Sequence, residues 1–405
     1  MYPLRFDRTG KFEAALRRSG QKIWSCRVRR FVAYNAPSPQ FEIRASNPRY
    51  MIDMEMYKNL HSDDEKHEDS PKSIRTLAFE IMCRDEPPSD SFLLLLPPTV
   101  PGFGMHDKKW RILQVEHISA IEWNKNAFEQ LVLDYNHREL IEAVIRGHMS
   151  SNMSPDIVEG KGKGVIILLH GGPGTGKTLT AESVAELAEK PLYRVTCGDI
   201  GTDPEKVEKY LESVLFIGSA WQAVVLLDES DVFLEEREKM DLKRNALVSV
   251  FLRVLEYYEG ILILTSNRVG HFDEAFKSRM QLTLHYPPVN LEGRKQIWDN
   301  FIDLLERKEL ELEVSSESNR PEGEKVNIAV LRARRDALAD CELNGRQIRN
   351  AISTARQLAR LRNKAMSFEH LQATIKTVSA FEKYVEQTHG HSAAEYARST
   401  QLRLE

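Results

Sequence analysis

Val165-Ile-Ile-Leu-Leu-His-Gly171-Gly-Pro-Gly-Thr-Gly-Lys177-Thr178 is the stretch whose reading decides the fold. Its first half is an apolar run of strand length. Its second half sets glycines at 171, 172, 174 and 176 ahead of a Lys-Thr pair. Residues 178–189 then take helical spacing. Strand, glycine-rich turn and helix in this order match the pattern GxxxxGK[ST]. Glycines let backbone N–H groups wrap a phosphate with no Cβ in the way, and the helix N-terminus adds positive dipole. Lys177 is then placed to reach the β- and γ-phosphates, and the Thr178 hydroxyl to ligate Mg²⁺. The expected cradle is Gly172, Pro173, Gly174, Thr175, Gly176, Lys177, Thr178 and Leu179, with ATP and Mg²⁺ as its ligands.

Working outward, the chain alternates. Apolar runs at 192–195, 224–227, 261–264 and 282–284 are separated mostly by helical stretches such as 204–221 and 242–258. Fully apolar strands interleaved with helices predict a mainly parallel sheet covered on both faces. The run at 224–227 ends in Asp228 and Glu229, which puts two carboxylates at the C-terminal edge of that sheet. Asp228 is placed to hold the Mg²⁺ shell and Glu229 to polarise an attacking water. The run at 261–264 ends in Thr-Ser-Asn267, and Asn267 is placed to hydrogen-bond that water or the γ-phosphate from the other side. After Pro287 and Pro288 the strand signal stops. Helices are expected near 292–306, 326–341, 344–362 and 367–386.

On the N-terminal side, the aromatic and β-branched clusters of the first 60 residues, including IWSCRVRRFVAY, predict short strands. SFLLLLPPTVPGF and WRILQVEHISAIEW predict further strands of a small β-rich domain, with residues 93–96 as core strand. The polar stretch 61–73 reads as a solvated loop. Residues 126–160 read as a helical linker, and the tail from 388 as disordered. The predicted organisation is an N-terminal domain at 1–125, this linker, an α/β domain at 161–290 and a helical module at 291–387.

Composition bounds the function. Charged residues are 29% of the 405, with both signs mixed and a net charge of −4. That balance argues against a protein that coats nucleic acid. Cys26, Cys83, Cys197 and Cys341 form no CxxC pair, so neither structural zinc nor a disulfide framework is expected. No secretory signal is evident, and apolar runs such as 92–96 fall far short of the ~20 residues of a bilayer span. An intracellular protein, cytoplasmic or nuclear, is expected.

The order of these motifs resembles the AAA family of ATPases, over roughly residues 161–386. The resemblance implies a P-loop NTPase fold: a five-stranded parallel sheet forming the AAA large subdomain, followed by an all-helical lid, with ATP at their seam. It implies the roles given above for Lys177, Thr178, Asp228, Glu229 and Asn267. It also places Arg279, in FDEAFKSR, at the position of an arginine finger donated to a neighbouring subunit. Arg346, with Arg349 in reserve, falls at the second sensor of the lid. A finger acting in trans implies a homo-oligomer, by family precedent a hexameric ring. The strings RYMIDMEMY, LPPTVPGFGMHDKKW and GDIGTDPEKVEKYL resemble, more narrowly, fungal AAA-type ATPases with a conjoined N-terminal domain. One departure matters: relatives that thread polypeptide carry an aromatic residue before a Gly after the second strand, and here Ile200 precedes Gly201. Remodelling of a protein client is the leading expectation, a nucleotide-gated scaffold the next, and a clamp-loader-like or helicase-like motor on nucleic acid the third.

Overall fold

The computed structural model describes residues 9–35, 48–61, 79–82, 84–150, 164–196, 203–234, 242–268, 274–314 and 321–389. Outside them lie residues 62–73 of the expected loop, the end of the expected linker at 151–160, the segment 197–202 with Ile200, residues 315–320, and the tail from 390. The chain divides into two compact units: Met1–Trp123 with Pro191–Arg194, and Asn124–Lys190 with Val195–Glu405.

The first unit is built on an antiparallel sheet of order β4-β3-β2-β1-β5. Its strands are β1 (Arg30–Tyr34), β2 (Arg49–Ile52), β3 (Thr99–Gly104), β4 (Trp110–Gln114) and the two-residue β5 (Ile118–Ser119). One face buries Val32, Tyr34, Tyr50, Ile52, Val100 and Leu113.

Two expectations fail in this unit. The first is that Ile23, Trp24 and Ser25 lie in a strand. They end a helix, Lys11–Ser25, whose inward stripe includes Gly20 and Trp24. Gly20 faces the backbone of Leu93, where a Cβ would stand 2.2 Å from the carbonyl oxygen. The second is that residues 93–96 form a core strand. Ser89 caps a short helix, Asp90–Leu93, by accepting from the Phe92 N–H. Pro97 and Pro98 then follow, supplying no N–H to a ladder. Leu93 is buried there, but Leu95 is 81% exposed.

The apolar runs from Val165 onward form one sheet of order β10-β6-β9-β8-β7. These are β6 (Val165–Gly171), β7 (Leu192–Thr196), β8 (Val224–Asp228), β9 (Ile261–Ser266) and β10 (Leu282–Tyr286). The pairs β10–β6, β6–β9 and β8–β9 run parallel. β8 and β9 are buried along their whole length, as strands covered on both faces must be. Helices Lys177–Leu187, Pro204–Ala220 and Leu242–Glu256 connect them.

The residues read as a linker fold into helices Asn126–Glu129 and Tyr135–Met149. They dock on the helix after β6, whose Ser183 hydroxyl donates to the Ala127 carbonyl; just ahead of them the Asn124 N–H donates to Glu186. Among the described residues beyond β10 the regular structure is helical apart from an isolated bridge between Val326 and Met366. The helices Leu291–Val314, Gly345–Leu361 and Phe368–His389 enclose a core that includes Trp298, Ile302, Leu331, Ile348 and Leu371. The single helix expected over 326–341 is two, Ile328–Ala333 and Arg335–Ala339. Arg334, at φ −107° and ψ 11°, ends the first and caps the second. Among the described residues no helix is long and apolar enough to cross a membrane.

Candidate active site

β6 delivers the chain into a turn whose glycines hold left-handed backbone: φ is 143° at Gly171, 76° at Gly174 and 106° at Gly176. Beside Gly176 a Cβ would meet nothing within 4 Å, so that side of the turn is open. The helix Lys177–Leu187 starts there, aiming its first N–H groups at the opening. Lys177 is buried, with Nζ 2.9 Å from the Gly171 carbonyl and 2.6 Å from that of Gly172. Open turn, helix start and buried ammonium together fit the phosphates of a nucleotide. Thr175 donates its hydroxyl to the Gly172 carbonyl, and Leu179 is exposed.

From beneath, Tyr286 at the end of β10 donates its hydroxyl to Thr180 Oγ1 at 2.8 Å. Thr180 in turn donates to the Gly176 carbonyl at 3.1 Å. His170, the last residue before the turn, is held down to a pKa of about 4 by burial, with His285 and Lys177 adding to the shift. It is therefore neutral at neutral pH.

β8 brings Asp228 to this opening. The Thr178 hydroxyl donates to its carboxylate at 3.1 Å and 3.3 Å from the two oxygens. A hydroxyl and a carboxylate in contact at the mouth of a phosphate turn are a hard-oxygen donor set that suits Mg²⁺. Glu229, next along, is exposed and sits at φ 57°. A non-glycine residue held there stores about 1–3 kcal/mol, and such strain clusters at functional sites.

Asn267 follows β9, half-buried, its N–H donating to Asp231 Oδ1 at 3.0 Å. The same carboxylate oxygen accepts from the Arg268 N–H and the Ser266 hydroxyl. Asp231 was not singled out by the sequence reading. The only signal for it was an acid two residues past Glu229.

The lid reaches the turn through Asn344, the N-cap of Gly345–Leu361. Asn344 and Gln347 exchange side chain-to-backbone hydrogen bonds in a capping box. A Cβ on Gly174 would stand 2.6 Å from Cγ and Oδ1 of Asn344. Gly174→Ala is therefore expected to destabilise the protein by about 1 kcal/mol or more, since it combines a clash with positive-φ strain. Asn344→Gly in the same background should recover only part of the loss. Urea unfolding of both variants measures this, and wild-type stability in Gly174→Ala would show the contact to be slack. Arg346 and Arg349 lie in the first two turns of this lid helix and are exposed. Arg279, following the short helix Glu274–Lys277, folds back to donate to the Ala275 carbonyl and stands 3.8 Å from Glu256.

This arrangement is that of a P-loop nucleotide hydrolase, and comparison with known proteins narrows the class. The model of the family described as "ATPase family associated with various cellular activities (AAA)" matches residues 167–288, and that of the "Fungal AAA+ ATPase lid domain" matches 289–392. The chain belongs to the AAA family of ATPases: an ATP-hydrolysing domain followed by its helical lid, preceded by a β-rich region. It is 29% identical over 162 residues to the ATPase family AAA domain-containing protein FIGL1 of Arabidopsis thaliana, covering 37% of this chain and 24% of that protein. With the ATPase family AAA domain-containing protein 3-B of Xenopus laevis it shares 30% over 147 residues, covering 34% and 24%. The chain thus spans about a quarter of the length of these relatives. A solved structure of the FIGL-1 AAA domain overlaps 67% of this chain and 92% of its own, at 17% identity and a TM-score of 0.46.

Proposed function

We propose that the chain is a magnesium-dependent ATPase that cleaves the β–γ phosphoanhydride within a homo-oligomeric ring and uses the energy to remodel a protein client. The observation that carries the chemistry is the Thr178–Asp228 contact at the open face of the turn that Lys177 enters. Bound Mg²⁺ would supply charge neutralisation at the phosphates. Lys177 holds phosphate oxygens, Thr178 and Asp228 hold the metal, and Gly172–Thr178 supply backbone donors. Glu229 takes the proton of the attacking water, and Asn267 orients that water. Arg279 serves the site of a neighbouring copy, for which it must leave its pairing with Glu256. Arg346, at the start of the lid helix that abuts Gly174, reports phosphate occupancy to the lid.

The second reading, a nucleotide-gated scaffold, is favoured by Ile200 standing where threading relatives have an aromatic residue. A nucleic-acid motor is supported least. In the lid stretch 332–335, Arg332 is paired with Asp303 and Glu306, and Arg335 with Asp299 and Asp336, which offsets the charge of those two arginines.

Mass measurement with ATP and with ADP, beside steady-state turnover, tests these readings. A ring in ATP with client-stimulated turnover is expected. A ring that forms in ATP but turns over at a rate no client changes would favour the scaffold, and a monomer in both nucleotides would remove the trans role of Arg279.

A further inference from the structure

The β8–β9 ladder ends at Leu227 opposite Leu264, one residue short of the acids. Beyond it Thr265 holds the three residues Asp228–Ser230, as Asp231 one residue further on holds Ser266, Asn267 and Arg268. The Thr265 hydroxyl donates to Asp228 Oδ1 at 2.6 Å and accepts from the Glu229 N–H at 2.9 Å. Its carbonyl accepts from both the N–H and the hydroxyl of Ser230, each at 2.9 Å. Thr265 is thus bonded to three consecutive residues of the neighbouring strand end, and it is 2% exposed.

We infer that Thr265 is a positioning residue for hydrolysis, its hydroxyl fixing the Asp228 carboxylate toward the metal and the Glu229 backbone in its left-handed turn. This inference rests on the roles given above to Asp228 and Glu229. The physical case is the shape of the bond set. A carboxylate with Thr178 on one side and Thr265 on the other has little freedom to rotate. Glu229, at φ 57°, keeps an unfavourable backbone only while something holds it, and the bond from its N–H to the buried hydroxyl does so. Without the hydroxyl, Glu229 can relax toward ordinary backbone and carry its carboxylate off line. The Glu229 N–H would also lose its acceptor. A valine matches the shape of threonine and cannot make either bond, whereas a serine makes both.

The test uses the full chain with Thr265→Val and Thr265→Ser, and Glu229→Gln in parallel. ATP turnover is measured, together with affinity for a fluorescent ADP without metal and the Mg²⁺ concentration that half-maximally changes nucleotide affinity. In Thr265→Val, turnover is expected to fall at least tenfold and the half-effect Mg²⁺ concentration to rise several-fold. Metal-free ADP affinity should stay within about threefold, and Thr265→Ser should restore each value to within about threefold. Turnover and Mg²⁺ response within twofold of wild type in Thr265→Val overturn the inference, as does an equal loss in Thr265→Ser. If Thr265→Val loses its cooperative melt, Thr265→Ala against Thr265→Ser makes the same comparison, and equal values there overturn it. Should Glu229→Gln also hydrolyse normally, the reading of the site has failed. Should Glu229→Gln be inactive while Thr265→Val is active, only the role of Thr265 falls.

Discussion

Glu229→Gln should bind ATP within about threefold of wild type and hydrolyse it at least tenfold more slowly, with about a hundredfold to ten-thousandfold as the ordinary range for losing a general base. The amide keeps the size of the side chain and leaves the N–H bond to Thr265 in place, so the change is aimed at the proposed acceptor for the water's proton. Burst and steady-state phosphate release measure the loss, and titration with a non-hydrolysable ATP analogue measures binding. Normal turnover would remove Glu229 from the chemistry. The backbone supplies a second handle. Asn tolerates φ 57° better than Glu does, so Glu229→Asn should be as inactive as the Gln variant while melting no lower than wild type. A marked fall in melting temperature would mean the glutamate side chain is structural. On the proposed reading, blocked turnover would prolong a complex with the client, which makes Glu229→Gln also the variant with which to seek one.

Lys177→Ala should weaken ATP binding by roughly tenfold to a hundredfold. This is the loss expected when a charge-assisted hydrogen bond of about 1.5–3 kcal/mol disappears from a site shielded from water. The ammonium is already buried against the carbonyls of Gly171 and Gly172, so little side-chain ordering remains to oppose phosphate binding. Calorimetric titration with ATP and with ADP gives the number. The larger loss is expected for ATP, whose γ-phosphate the amine would also reach on the proposed reading. Affinities within twofold of wild type for both nucleotides would show that Lys177 does not hold phosphate.

The two sets of elements differed in how far local sequence could reveal them. Runs such as Val165–Leu169 and Val224–Leu227 were legible because a strand buried on both faces must be apolar at every position. The glycines at 171, 174 and 176 were legible because left-handed backbone leaves few other choices. The helix Lys11–Ser25 was not legible, since its inward stripe is no simple apolar face. Gly20 and Trp24 are buried with Arg17 partly covered, while Phe12 is 66% exposed. Gly20 makes sense only once Leu93, over 70 residues away, is seen against it. The same holds in the site. Asp228, Glu229 and Asn267 announce themselves as polar residues ending apolar strands. Thr265 and Asp231 matter through partners on another strand end, 35 to 37 residues distant in sequence, and no local pattern records that pairing.

β6 is laddered on both flanks, to β9 from Val165 to His170 and to β10 from Ile167 to Gly171. Sliding it by one residue would tear two rows of hydrogen bonds and turn the side chains of the apolar run Val165–Leu169, and His170, to the opposite layer. Compliance around the nucleotide is thereby left to the turn beyond Gly171 and to the helical piece resting on Gly174. The sheet is an anvil, and only what lies above it is free to swing.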